Sequence, residues 1–137
     1  MPVSLITALL QLSAPARAED YPLWPPIGDI TSVNPVGTED SAVIISIEDY
    51  LYLPDYPGAM TSGQLWKDWL IDGRGLSEDK IVWMRDGEAT AKNIDKKLKK
   101  AAKKTSKNGT LWVIYAGHAG GFKGKPMILP ADLPSQS

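Results

Sequence analysis

His118 is the only histidine in the 137 residues, and it follows Leu111-Trp112-Val113-Ile114-Tyr115-Ala116-Gly117. An imidazole takes up and returns a proton near neutral pH, so a histidine presented at the end of such a run suits general acid–base chemistry. The run is rich in β-branched and aromatic residues, preceded by Asn108-Gly109 and followed by Gly117, Gly120 and Gly121. That punctuation describes a covered central strand ending in a tight turn, and open α/β sheets do their chemistry at the carboxyl ends of strands. Gly117 supplies the backbone freedom for the turn. The same pattern also fits a histidine that is merely hydrogen-bonded beside a loop. A second group of candidates is Glu48, Asp49 and Asp55, just beyond an earlier apolar run. On a parallel sheet these carboxylates share an edge with His118, where they can bind a basic side chain or simply remain solvated.

The chain contains no cysteine, which excludes disulfides, thiolate metal sites and a thiol nucleophile within these residues. No Gly-x-Ser-x-Gly elbow offers a serine instead, and no Gly-x-Gly-x-x-Gly loop follows the first run to hold a dinucleotide. The residues therefore point to no cofactor and no metal.

The elements that must position these groups alternate strand and helix from Ser41 onward, the signature of crossovers onto a parallel sheet. Val43 to Ile47 is the first strand. Met60 to Ile71 reads as a helix with Leu65, Trp69 and Trp66 inward, closed by Asp72-Gly73-Arg74-Gly75. Lys80 to Met84 is the second strand. Thr90 can cap a helix running to Lys107, with Ile94, Leu98, Ala101 and Ala102 on one stripe. Leu111 to Tyr115 begins the third strand, which is expected to end in His118.

This order of motifs resembles the caspase-like cysteine peptidases, the group of caspases, metacaspases, paracaspases and bacterial relatives. Four pieces between Ser41 and Asp132 carry the resemblance: Ala42-Val43-Ile44-Ile45-Ser46-Ile47 with Glu48-Asp49-Tyr50; the helix entered at Pro57-Gly58-Ala59; the segment Ile81 to Ile94 that holds Met84-Arg85-Asp86-Gly87; and Tyr115-Ala116-Gly117-His118. Met127-Ile128-Leu129-Pro130-Ala131-Asp132 is similar to the Leu-Leu-Pro-Ala-Asp stretch that follows the family's histidine. The resemblance implies a three-layer α/β/α sandwich with a mostly parallel, Rossmann-like sheet, here incomplete. It implies that His118 is catalytic and that the cysteine lies after a further strand beyond Asp132. The chain alone should then be inactive. The family usually has glycine where Ala119 stands. The N–H of residue 119 would help bind the oxyanion, and a Cβ there is compatible only with an ordinary negative φ or a bend taken up by Gly120. Metacaspases prefer Arg or Lys before the cut, which would make Glu48, Asp49 and Asp55 substrate-binding. The competing reading is a catalytically inactive caspase-fold module that binds or regulates other proteins.

With 43% hydrophobic residues and a formal net charge of −1, the chain reads as globular and has no global bias toward nucleic acid. Eight of its fifteen basic residues fall between Thr90 and Lys107, a solvated face by default. No interleaved aromatics or arginines accompany them, so nucleic acid is not expected as a partner. A peptide or protein substrate is; the oligomeric state is left open. Val3 to Leu12, with Ala16-Arg17-Ala18 before Glu19-Asp20, reads as an export signal over 1–18, although no Lys or Arg precedes it. The run is too short to span a bilayer. Residues 19–40 read as a Pro-rich linker or arm, and by the resemblance 41–137 would be the N-terminal part of a caspase-like catalytic domain. Export to the periplasm or the extracellular space follows from the signal.

Overall fold

The computed structural model describes residues 36–133. The expected export signal and nearly all of the Pro-rich arm lie outside the described residues. Three strands form a parallel sheet: β1 (Ser41–Ser46), β2 (Ile81–Arg85) and β3 (Leu111–Ala116), in the order β2-β1-β3. Val43 lies opposite Val82 on one side and Val113 on the other. Every residue of β1 is buried, which is why Ala42 to Ile45 at its centre is a continuous apolar run rather than an alternation.

Two helices cover this sheet, α1 (Ala59–Asp68) and α2 (Ala91–Lys104). The step from β1 to β2 and the return across β1 to β3 run in opposite directions, so crossovers of one hand place the helices on opposite faces. The packing agrees. Val43, Ile45 and Ile47 meet Ile94, Leu98 and Ala101 of α2, while Ala42 and Ile44 meet Leu70 and Leu76 beside Trp69. The chain is thus a mixed α/β unit with a helix on each face of a three-stranded parallel sheet. The reversal between β1 and β3 is a topological switch point, where loops diverge and leave a crevice at the strand ends.

Several boundaries differ from expectation. α1 approaches the sheet through Ala59 and Gly63, and a Cβ on Gly63 would lie 2.2 Å from Ser46 Oγ and 2.8 Å from Trp83 Cζ2. Leu65 lies off that stripe and is 40% exposed rather than inward. After Asp68 the helix widens into a π turn, Trp69–Gly73, which rotates Leu70 wholly into the core. In α2, Thr90 caps as expected, accepting the Asn93 N–H at 3.2 Å, and Ile94 and Ala101 are buried, but Ala102 is exposed. β2 begins after a single 3₁₀ turn, Glu78–Lys80. β3 stops at Ala116 rather than continuing to His118. The chain instead turns there into a hairpin, β4 (Ala119–Phe122) and β5 (Lys125–Ile128), exposed along both strands.

At the opposite end of the sheet Asp40, 3% exposed, ties three elements together. Its carboxylate accepts from Arg74 Nη2 and Trp112 Nε1, both at 2.9 Å, and from the Thr110 N–H at 2.8 Å. Burial pushes this carboxyl up; the bonds from Trp112, Thr110 and Arg74, with Arg74's charge, overcome that and hold it below the ordinary carboxylate value. Arg74 also sits 4.9 Å from the Trp112 ring.

Candidate active site

The switch-point crevice receives two segments, the loop leaving β1 and the turn leaving β3. Residues 117 and 118 are half-buried there. His118 Nε2 lies 2.7 Å from the Pro54 carbonyl oxygen. A carbonyl can only accept, so Nε2 carries the hydrogen and Nδ1 is left as the lone-pair nitrogen of the neutral ring. The imidazole rests between two tyrosines of the β1 loop, with centroids 4.9 Å from Tyr50 and 5.4 Å from Tyr56. The loop that carries Glu48, Asp49 and Asp55 thus shares the sheet edge with His118, as a parallel sheet requires. One ring nitrogen is engaged and the ring is not enclosed in the core.

Two phenols fix the backbone beneath the ring. The His118 N–H donates to Tyr50 Oη at 2.9 Å, and Tyr50 Oη lies 3.0 Å from Tyr115 Oη. Tyr115 Oη lies 2.5 Å from the His118 carbonyl and 2.9 Å from the Leu129 carbonyl, while the Leu129 N–H donates to the same His118 carbonyl at 3.0 Å. Burial first, then the hydrogen bond and coupling to Tyr50, push Tyr115 well above an ordinary phenol, so it remains a neutral donor. Gly117 is required here by proximity as much as by conformation. A Cβ would stand 2.5 Å from Tyr50 Oη and 2.9 Å from Tyr115 Oη.

Ala119 is accommodated without strain. The positive φ values of the described non-glycine residues fall on Asp86 and Lys123, and the turn out of β3 is made at Gly117. Ala119 faces Ile128 across the hairpin, and the Leu129 N–H to His118 carbonyl bond flanks that pair. The pair is consequently of the non-hydrogen-bonded kind, and the Ala119 N–H points away from β5.

The three carboxylates divide. Glu48 Oε1 accepts the N–H groups of Gly58 at 2.8 Å and Met60 at 3.1 Å, so it caps the start of α1 from a distance and neutralises its positive end. Gly58, at φ 95°, brings those donors round. Asp49 and Asp55 are exposed. Asp49 lines a cavity of about 470 Å³ with Tyr50, Leu51, Asp86 and Asp132, whereas Asp55 follows the Pro54 carbonyl that holds His118. Asp86, at φ 39°, is a residue that reasoning from spacing passed over. Its Oδ1 accepts the N–H groups of Glu48 at 2.8 Å and Asp49 at 3.1 Å, fixing the β1 loop to the end of β2. Tyr50, Tyr56 and Tyr115 were likewise not singled out; Tyr-Ala-Gly-His in the sequence is the one signal that could have pointed to Tyr115.

His118 and the Ala119 N–H thus stand on adjacent residues at the carboxyl ends of the strands, a neutral imidazole nitrogen able to accept a proton next to a backbone donor able to meet an oxyanion. Among the described residues no group of three or more His, Cys, Asp or Glu side chains is placed to hold a metal ion. Comparison with known protein families, with curated proteins and with solved structures finds no match for this chain.

Proposed function

We propose that the chain carries the histidine-bearing part of a caspase-like cysteine endopeptidase. The observation that carries this reading is the Nε2–H of His118 on the Pro54 carbonyl at 2.7 Å, which fixes the ring and leaves Nδ1 as base at the switch point. The ordered motifs from Ser41 to Asp132 support it from the sequence. In this mechanism Nδ1 takes the proton from a cysteine thiol supplied beyond Asp132, and the thiolate adds to the scissile carbonyl carbon. The Ala119 N–H donates to the oxyanion that forms. His118 then gives its proton to the departing amine as the carbon–nitrogen bond breaks, leaving a thioester for water to hydrolyse. Further strands beside β3 would complete an α/β/α sandwich. Asp49 and Asp55 are the carboxylates free to receive an Arg or Lys side chain before the cut, whereas Glu48 is engaged at α1. Export to the periplasm or the extracellular space belongs to the same reading and rests on residues 1–18.

A specific observation favours a second reading. None of the 137 residues is a cysteine, and a caspase-fold module without the thiol would bind proteins through the crevice rather than cut them. Fluorogenic peptides with Arg, Lys or Asp before the scissile bond separate the two. The chain alone is expected to be inactive, and a longer chain with a cysteine-bearing strand after Asp132 to be active, sensitive to a thiol alkylator and silenced by His118→Ala. Activity of the cysteine-free chain, or alkylator-insensitive activity of the longer one, would refute the mechanism.

A further inference from the structure

The lysines of α2 are more concentrated and more one-sided than solubility requires. Lys92, Lys96, Lys97, Lys99, Lys100, Lys103 and Lys104 fill one contiguous arc of the helix opposite Ile94, Leu98 and Ala101, interrupted only by Asn93. All but Lys97 are exposed, and Lys107 continues the charge past the helix end. The whole chain has a formal net charge of −1, so the remaining elements are acidic and the positive charge is segregated onto this one helix.

That segregation opposes helix stability. Lys92 and Lys96, Lys96 and Lys100, Lys99 and Lys103, and Lys100 and Lys104 are like-charge pairs four residues apart, each unfavourable. Lys92 also lies in the first turn, at the positive end of the helix dipole. Among the described residues the arc makes one ion pair, Lys99 with Asp95 at 2.7 Å. A dispersed arrangement would serve solubility without this repulsion, whereas an anionic surface laid against the arc would relieve it.

The hairpin supplies the second observation. Phe122, Met127 and Ile128 are 61%, 42% and 39% exposed, and Lys123 Nζ sits 5.2 Å from the Phe122 ring. Ile128 and Pro130 border a groove whose other wall is Ala91, Ile94, Asp95 and Leu98 of α2, so the hairpin flanks the helix along the edge where Asp95 adjoins Lys99, to one side of the lysine arc. Exposed aromatic and aliphatic groups flanked by lysines match the boundary between headgroups and acyl chains. The arc itself carries no arginine and no stacking aromatic, which disfavours nucleic acid as its counterpart.

We propose that α2 and the β4–β5 hairpin form a peripheral docking surface for a bilayer bearing anionic lipids. This surface is independent of the peptidase reading.

Flotation of the full chain with phosphatidylcholine vesicles, with and without phosphatidylserine, tests it. The expected result is binding only to vesicles containing phosphatidylserine, lost as salt screens the lysines. Replacing Lys96, Lys100 and Lys103 together by Gln should lower partitioning by roughly two orders of magnitude, at about one lysine's share each, while replacement by Arg retains it. Phe122→Ser should weaken binding without removing its dependence on phosphatidylserine. Circular dichroism checks that each variant keeps its helices; the changed lysines point outward, and removing repulsion does not unfold α2. Equal binding to vesicles of phosphatidylcholine alone, or binding that survives the triple Gln variant, as the apolar run Val3 to Leu12 would give, overturns the proposal. So does tighter association with a DNA duplex than with vesicles at equal phosphate concentration.

Discussion

Tyr115→Phe removes one oxygen from the base of the candidate site and keeps the ring that packs against the core beneath α2. That oxygen lies between the His118 carbonyl at 2.5 Å, the Leu129 carbonyl at 2.9 Å and Tyr50 Oη at 3.0 Å. Neither carbonyl is orphaned by its loss. The Leu129 N–H still reaches the His118 carbonyl at 3.0 Å, and Tyr50 Oη lies 3.3 Å from the Leu129 carbonyl. The full penalty for an unpaired buried group therefore does not apply, and the stability lost is that of ordinary neutral hydrogen bonds, about 1–2 kcal/mol. The local consequence is larger than the global one, because the phenol joins β3 to Leu129 in the segment following the hairpin. Urea unfolding followed by tryptophan fluorescence should show the modest loss, and hydrogen exchange should show faster opening of the 118–129 amides with little change in β1. Unaltered exchange in the hairpin, or a loss above about 4 kcal/mol, would refute the account of Tyr115 as a local clamp.

Asp40→Asn leaves Arg74 facing a neutral group and should cost about 3 kcal/mol at neutral pH by the same unfolding assay. Because the folded-state carboxyl of Asp40 lies below its ordinary value of 3.8, its contribution is present above that pH and disappears as pH falls through the lower folded-state value; acid titration of stability should be flatter in the variant over that window. Gly63→Ala places a methyl 2.2 Å from Ser46 Oγ and 2.8 Å from the Trp83 ring, which should lower stability by about 1–3 kcal/mol in thermal unfolding. Glu48→Ala should lose about 1 kcal/mol through the uncapped start of α1, with Glu48→Gln retaining most of it; equal stability of all three would return Glu48 to the substrate-binding group.

Much of the fold was legible because burial writes itself into residue type. An apolar run such as Val43 to Ile47 has no polar face and must be central, and the strand–helix alternation dictates parallel neighbours. The π turn after Asp68 was not legible, since Trp69-Leu70-Ile71-Asp72-Gly73 carries no residue pattern that separates it from an ordinary last helical turn. Nor was the hairpin, whose Gly-rich first strand has almost no strand-forming residues and reads as a loop. At the site, the position of His118 at a strand end followed from its glycines and the preceding apolar run. Its partners did not follow, because Pro54 contributes a backbone carbonyl and Tyr50 an interaction 68 positions away, neither of which leaves a mark in spacing. Glu48 misled for a related reason. A carboxylate at a strand end has the same appearance whether it faces a ligand or a helix start.

The protonated nitrogen of the one imidazole tests the central claim most directly. Long-range ¹H–¹⁵N correlation spectra of the full chain at a pH where the ring is neutral involve a single histidine and need no assignment among rivals. Hydrogen is expected on Nε2, held by the Pro54 carbonyl, and a lone pair on Nδ1. Hydrogen on Nδ1, or a ring averaging freely between the two forms, would contradict it and remove the base from the proposed chemistry.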